Sequence, residues 1–80
     1  MKRICYILEY GWIIEGKIER GEDKYISLKD AYVVRKWDNG RGIGGIAKKE
    51  YRNEYTLDEI GEVDIVKNKV LFSIPINYEV

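Results

Sequence analysis

The feature that most restricts the fold of this chain is the alternation of residue types along positions 12–20. Every second residue there is apolar or small: Trp12, Ile14, Gly16 and Ile18. The residues that alternate with them towards the end of the stretch are charged: Glu15, Lys17 and Glu19. Because successive side chains of an extended strand point to opposite faces, this period of two predicts a strand with one buried face.

Strand patterns recur along the chain, at residues 4–8, 26–28, 31–37, 63–65 and 70–76. The composition agrees, because twelve Ile and seven Tyr outnumber four Leu and two Ala, a bias typical of strands. Pro75 restricts the last strand to a sheet edge or ends it there. We predict an all-β fold, a small antiparallel barrel of five or six strands with a Gly-rich insertion and at most a short helical turn.

Two local predictions concern the second half of the chain. Residues 67–69 lie between two strand patterns, and Asn68 tolerates a positive φ, so they predict the turn of a tight hairpin. Residues 46–60 carry no clear pattern, and within them residues 57–60 are compatible with one helical turn that has Thr56 as its N-cap. At this length, we expect residues 1–80 to form one small domain.

The composition excludes several functional classes. The chain has no His, so it offers no imidazole base and no His-containing zinc site. Cys5 has no second Cys to pair with and is interpreted as a small core residue. Equal numbers of acidic and basic residues, 14 of each, argue against a protein that coats nucleic acid through charge alone.

The apolar run at residues 4–8 is too short for a signal peptide or a membrane span. We expect a cytoplasmic protein that is not an enzyme and needs no cofactor, metal or membrane.

Two short patterns resemble the Sm-like family of SH3-like small β-barrels. The first is G-x-x-x-x-G-x-I at residues 11–18 followed by L-x-x-A at residues 28–31, similar to the second and third strands of that family. The second is VKNKV at residues 66–70, similar to the hairpin between its last two strands. The resemblance implies a bent five-stranded barrel that forms a ring or another homo-oligomer through its edge strands.

The same resemblance makes RNA binding an alternative. Sm-like proteins that bind RNA use an Asp and an Asn after the second strand and an Arg-Gly pair in the later hairpin. Here Asp23 has no accompanying Asn, and residues 67–69 are Lys-Asn-Lys; both departures disfavour that site. The small size and the Ile-, Lys- and Tyr-rich bias also resemble phage-encoded accessory proteins, some of which sequester signalling nucleotides of bacterial defence systems.

Residues 35–52, here called the basic segment, differ from the rest of the chain. They carry six basic and two acidic residues, an excess of +4, whereas residues 53–80 carry −4 and residues 1–34 balance. Four of the eight glycines fall within residues 40–45. Glycine lets backbone N–H groups converge on an anion, while cations and aromatic rings add charge and stacking. The predicted ligand-binding residues are Trp37, Arg41, Gly42, Gly44, Gly45, Lys48, Lys49, Tyr51 and Arg52.

Three interpretations of the basic segment stay open: a ligand site, a contact with an acidic segment of the same or a neighbouring chain, or a mobile connection. The leading prediction is a non-catalytic homo-oligomer that captures a small, phosphate-bearing nucleotide-type ligand. The alternatives are an Sm-like RNA-binding protein and a protein–protein interaction or inhibitor module that uses a Tyr-rich surface.

Overall fold

The computed structural model describes residues 2–80 as one antiparallel sheet with short 3₁₀ turns. The strands are β1 (Arg3–Leu8), β2 (Ile13–Gly21), β3 (Tyr25–Trp37), β4 (Tyr55–Val66) and β5 (Val70–Ile76). The 3₁₀ turns are Glu9–Gly11, Ile43–Ala47, Lys49–Glu54 and Lys67–Lys69. Within residues 2–80, no helix has the length and apolar character needed to cross a membrane.

The strands lie in the order β4-β3-β2-β1-β5, and every neighbouring pair is antiparallel. β4 and β5 are the two edges, and no pairing joins them in the described part of the chain, so the sheet is open. The predicted all-β fold class is confirmed, with five antiparallel strands, a Gly-rich insertion and only short 3₁₀ turns, but the sheet formed by the described residues is not closed. Pro75 lies in edge strand β5, as predicted.

β3 is a single strand of 13 residues that covers two predicted strand patterns. The join between them lies at Asp30, which has φ 49°, and the register with β4 shifts between Leu28 and Ala31. β2 passes close to this irregular point, because a Cβ on Gly16 would lie 3.0 Å from the Cβ of Ala31. Glycine at position 16 therefore permits the close approach of β2 and β3.

Both faces of the sheet carry an apolar core. The buried residues of the first core are Tyr6, Ile14, Ile26, Leu28, Ala31 and Ile65. Those of the second core are Cys5, Ile7, Val34, Ile46, Tyr55 and Ile76. Because neighbouring residues of β1 belong to different cores, both faces of this central strand are covered. Ile46 enters the second core from the turn Ile43–Ala47, so the basic segment forms part of that cover.

The prediction of a tight hairpin at residues 67–69 is wrong. The turn Lys67–Lys69 is present, but β4 pairs with β3 while β5 pairs with β1. The turn therefore carries the chain from one sheet edge to the other. Asn68 is not among the residues with positive φ. β4 and β5 each use one edge to pair with β3 or β1, and within residues 2–80 their remaining edges are not joined to each other.

The prediction of a helical turn at residues 57–60 is also wrong. These residues continue β4, where Leu57 lies opposite Val34 and Asp58 opposite Val33. The helical geometry occurs earlier, in the 3₁₀ turn Lys49–Glu54. Long-range pairing with β3 overrides the weak local preference for a helix after Thr56.

Candidate functional site

The Gly-rich part of the basic segment is packed against the sheet. Gly45 and Ile46 are buried, and the Tyr55 hydroxyl donates a hydrogen bond of 2.5 Å to the Gly42 carbonyl oxygen. A Cβ on Gly45 would collide with that hydroxyl. Gly42 has φ 68°, in the left-handed region that favours glycine. Two of the predicted site residues, Gly42 and Gly45, thus shape the cover of the second core.

The Arg41 side chain makes an ion pair with Glu54 and a cation–π contact with the Tyr51 ring. Its Nε donates to Glu54 Oε1 at 3.1 Å, and its guanidinium carbon lies 3.6 Å from the centre of the Tyr51 ring. The hydrogen bond to Glu54 raises the pKa of Arg41 from its ordinary value. Tyr51 also packs against the second core. One face of this ring is therefore stacked on Arg41, and the charge of Arg41 has a counter-ion.

A second arrangement joins three distant parts of the chain: Arg3 of β1, Glu15 of β2 and Arg52 of the turn Lys49–Glu54. We call these residues the arginine cluster. Arg3 donates from Nε to Glu15 Oε2 and from Nη2 to Glu15 Oε1, the latter at 3.0 Å. Arg52 donates from Nη2 to the same Oε1 at 2.6 Å. Both guanidinium groups therefore share one carboxylate oxygen.

Tyrosine rings and a backbone carbonyl surround the arginine cluster. The guanidinium carbons of Arg3 and Arg52 lie 5.6 and 5.5 Å from the centre of the Tyr32 ring, within the range of cation–π contacts. Arg3 Nη2 also donates to the Asp30 carbonyl oxygen at 2.5 Å. Arg52 Nη1 lies 3.4 Å from the Tyr78 hydroxyl oxygen. The cluster thus ties the irregular point of β3 to the residues that follow β5.

The charged form of Arg52 is favoured by its contacts. Burial disfavours the charge, but the hydrogen bonds to Glu15 and Tyr78 and the charge interactions with the same two residues together outweigh burial and raise the pKa of Arg52. The Tyr78 hydroxyl donates in turn to the Ile46 carbonyl oxygen at 2.6 Å. Arg52 is therefore a cation whose position is set by both the sheet and the Gly-rich turn.

Two clefts flank the basic segment, and three of the nine predicted site residues line them. The Trp37 cleft, of about 660 Å³, is lined by Lys36, Trp37, Asp38, Asn39, Glu54 and Thr56. The C-terminal cleft, of about 570 Å³, is lined by Lys49, Glu50, Arg52, Asn53, Tyr55, Leu57, Tyr78, Glu79 and Val80. Both volumes fall within the range of ligand sites, about 300–1,000 Å³.

Of the nine predicted residues, the structure brings Lys49 and Arg52 together in one cleft and places Trp37 in the other. The Trp37 ring also packs on Tyr55, with centroids 5.8 Å apart. Gly44 and Lys48 are exposed and line neither cleft. The nine predicted residues therefore do not all lie in one cleft: Trp37 lines one, Lys49 and Arg52 line the other, and the remaining six line neither.

Sequence reasoning missed Arg3 and Glu15. The alternation placed Glu15 on the charged side of β2, yet its side chain is fully buried. The sequence of β1 could have indicated this burial, because Ile4 and Tyr6 on one face and Cys5 and Ile7 on the other are all apolar or aromatic. A central strand that is apolar on both faces implies that its neighbour β2 is also covered on both sides.

Cys5 lies beside the arginine cluster and is fully buried. Burial raises the pKa of its thiol to about 12, with a further increase from the charge of Glu15. A thiol that holds its proton this firmly is a poor nucleophile. Among residues 2–80, no group of three or more Cys, Asp or Glu side chains is placed to hold a metal ion.

Comparisons with family models, with curated proteins and with solved structures find no match for this chain.

Proposed function

We propose that this chain is a non-catalytic, homo-oligomeric binding protein that captures a phosphate-bearing nucleotide-type ligand in the C-terminal cleft. The observation that carries the proposal is the position of Arg52. Its guanidinium group is paired with Glu15 but remains partly exposed, and it lines this cleft beside Lys49. The ring of Tyr78, which is half-buried, lines the same cleft and offers apolar surface for a base or a ribose. Concave shape, convergent cations and aromatic rings are what a nucleotide site requires.

The homo-oligomer is supported by the two unpaired edges of the sheet. β4 and β5 each present free backbone groups at an edge, and exposed apolar residues accompany them: Leu71 and Phe72 on β5 and Ile60 on β4. Pairing β4 of one copy with β5 of the next satisfies both edges. The open five-stranded antiparallel sheet is compatible with a small barrel of the Sm-like kind, and a cytoplasmic, phage-encoded counter-defence role belongs to the same proposal.

A panel of nucleotides tests the ligand. We expect AMP, ADP-ribose or a cyclic dinucleotide to raise the melting temperature of the wild-type protein, whereas adenosine leaves it unchanged. Lys49→Ala is expected to reduce the shift, because Lys49 lines the C-terminal cleft. Arg20→Ala, which removes an exposed cation paired with Glu22 outside the basic segment, is expected to retain it. No shift with any phosphate-bearing compound overturns the proposed ligand class.

A second candidate function rests on a separate surface. An apolar end patch, formed by the exposed side chains of Tyr10, Trp12 and Val66, surrounds a cleft that is also lined by Leu8, Ile14 and Ile65. Tyr10 is almost fully exposed and has φ 64°. Exposed apolar patches mark contacts with other proteins, which favours a protein-interaction or inhibitor module.

The second candidate predicts that the patch residues decide partner binding. Affinity capture is compared between the wild type and a Tyr10→Ser, Trp12→Ser double variant, with the bound proteins identified by mass spectrometry. We expect a specific partner to be lost from the double variant. Identical sets of captured proteins contradict this function.

A further inference from the structure

The arginine cluster holds more positive than negative charge. Arg3 and Arg52 both donate to Glu15 Oε1, at 3.0 and 2.6 Å, and Glu15 supplies one negative charge for two guanidinium groups. Asp30 offers Arg3 only its backbone carbonyl, because its carboxylate lies 3.5 Å from Lys17 Nζ. The cluster therefore carries a net charge of +1.

Burial makes this excess charge costly. The side chains of Arg3, Glu15 and Arg52 are 3%, 0% and 15% exposed. Within residues 2–80, Arg3 Nη1 is buried and has no hydrogen-bond partner. A buried charge without a counter-ion raises the free energy of the folded protein. An anion bound next to the cluster therefore lowers that free energy.

One member of the cluster can be reached from solvent. Arg52 lines the C-terminal cleft, and its Nη1 has only the long contact of 3.4 Å with the Tyr78 hydroxyl. Lys49 and Asn53 line the same cleft and supply further donors. Glu50 and Glu79 also line it, and both are exposed, so that solvent screens their charge.

We infer that the arginine cluster is an oxyanion anchor, in which a phosphate group binds Arg52 in the C-terminal cleft. Glu15 acts as a positioning residue that holds the Arg52 guanidinium in place, and Arg3 adds the second, buried positive charge. A phosphate group presents several oxygens to the planar donor fork of arginine, which suits it better than a single-acceptor anion. The inference deepens the proposed function, because it assigns the phosphate of the ligand to one residue.

Inorganic phosphate alone is the probe that separates this inference from the nucleotide proposal. Melting temperatures are measured in sodium phosphate and in sodium chloride at equal ionic strength and pH. We expect the wild type to gain stability with phosphate in a saturable way. Arg52→Ala is expected to lose the gain, and Arg20→Ala, which removes an exposed arginine paired with Glu22, is expected to keep it.

Folding of the variant is checked by circular dichroism, and Arg52→Ala leaves the pair Arg3–Glu15 in place. If that variant does not fold, Lys49→Ala and Tyr78→Phe take its place, and we expect each to weaken phosphate binding several-fold.

The inference is overturned if the melting temperature of the wild type rises no more in phosphate than in chloride, or if that of the cleft variants rises as much as that of the wild type. Binding of phosphate but of no nucleotide supports the anchor and contradicts the nucleotide proposal. Nucleotide binding that Arg52→Ala leaves intact contradicts the anchor alone.

Discussion

Among single residues, Glu15 does most to shape the candidate site, because it is the acceptor that draws Arg3 and Arg52 together. Replacing Glu15 with Gln leaves two guanidinium groups without a counter-ion in a buried position. We expect a loss in the free energy of unfolding of about 3–5 kcal/mol, the range for breaking a buried ion pair from one side. Chemical denaturation measures it.

The matched control for Glu15→Gln is Glu54→Gln. Glu54 also accepts from an arginine, Arg41, but both side chains are more than a third exposed. Exposed ion pairs contribute about 0–1 kcal/mol, so this variant should remain close to the wild type. Equal losses in the two variants contradict the buried role assigned to Glu15.

Cys5 gives a pH dependence with a definite sign. Burial raises the pKa of its thiol from 9.0 to about 12. Below pH 9 the thiol is protonated in both the folded and the unfolded chain, and its contribution to stability is fully present. Between pH 9 and 12 only the unfolded chain releases the proton, so the free energy of unfolding falls with rising pH, by up to about 1.4 kcal/mol per pH unit for one proton.

Cys5→Val separates this contribution from the tyrosines and lysines that titrate in the same range. The variant keeps an apolar side chain of similar size but has no thiol proton. We expect its stability to fall less steeply above pH 9 than that of the wild type, as measured by urea denaturation at several pH values. Parallel curves for the two proteins contradict the raised pKa of Cys5.

Among the elements, the turn Ile43–Ala47 contains two adjacent glycines in different surroundings: Gly45 is packed against Tyr55, whereas Gly44 faces open space. Gly45→Ala places a methyl group against the Tyr55 hydroxyl and displaces its hydrogen bond to Gly42. We expect a loss of about 1–3 kcal/mol in the free energy of unfolding, as for overpacked sites. Gly44→Ala is the control, because a Cβ there meets no atom within 4 Å. A similar effect of both changes contradicts the packed role of this turn.

The positions of the strands could be predicted from the sequence, but the pairing between strands could not. Alternation along residues 12–20 located β2, and the strand patterns at residues 4–8 and 70–76 lie within β1 and β5. Local patterns do not say which strands pair, so the turn Lys67–Lys69 was interpreted as a hairpin although it connects opposite edges. The same limit affected residues 57–60, where pairing with β3 decides the conformation.

The candidate site was only partly predictable, for a related reason. Charge and glycine content identified the basic segment, which holds Lys49 and Arg52. They did not show that Arg41 is paired with Glu54, or that Arg52 meets a carboxylate 37 residues away in the sequence. Contacts between distant residues depend on the sheet register, which no local pattern in this chain contains.

For the whole molecule, the open sheet predicts self-association. Phe72→Lys places a charge on the exposed edge strand β5, and we expect it to shift the protein to a 9.4 kDa monomer in light scattering, while the wild type is larger. Tyr25→Lys is the control, because Tyr25 is an exposed aromatic residue on β3, which has a partner strand on each side. A monomeric wild type at micromolar concentration contradicts the homo-oligomer.

The central claim is that the C-terminal cleft binds a phosphate group through Arg52. The most direct measurement is a titration of the ¹⁵N-labelled protein with inorganic phosphate and then with AMP, followed by NMR at constant ionic strength. We predict the largest, saturable shifts at the amides of residues 49–57 and 77–80 and at the Arg52 side-chain Nε–H. Shifts confined to residues 40–45, or no saturable shift in either titration, contradict the claim.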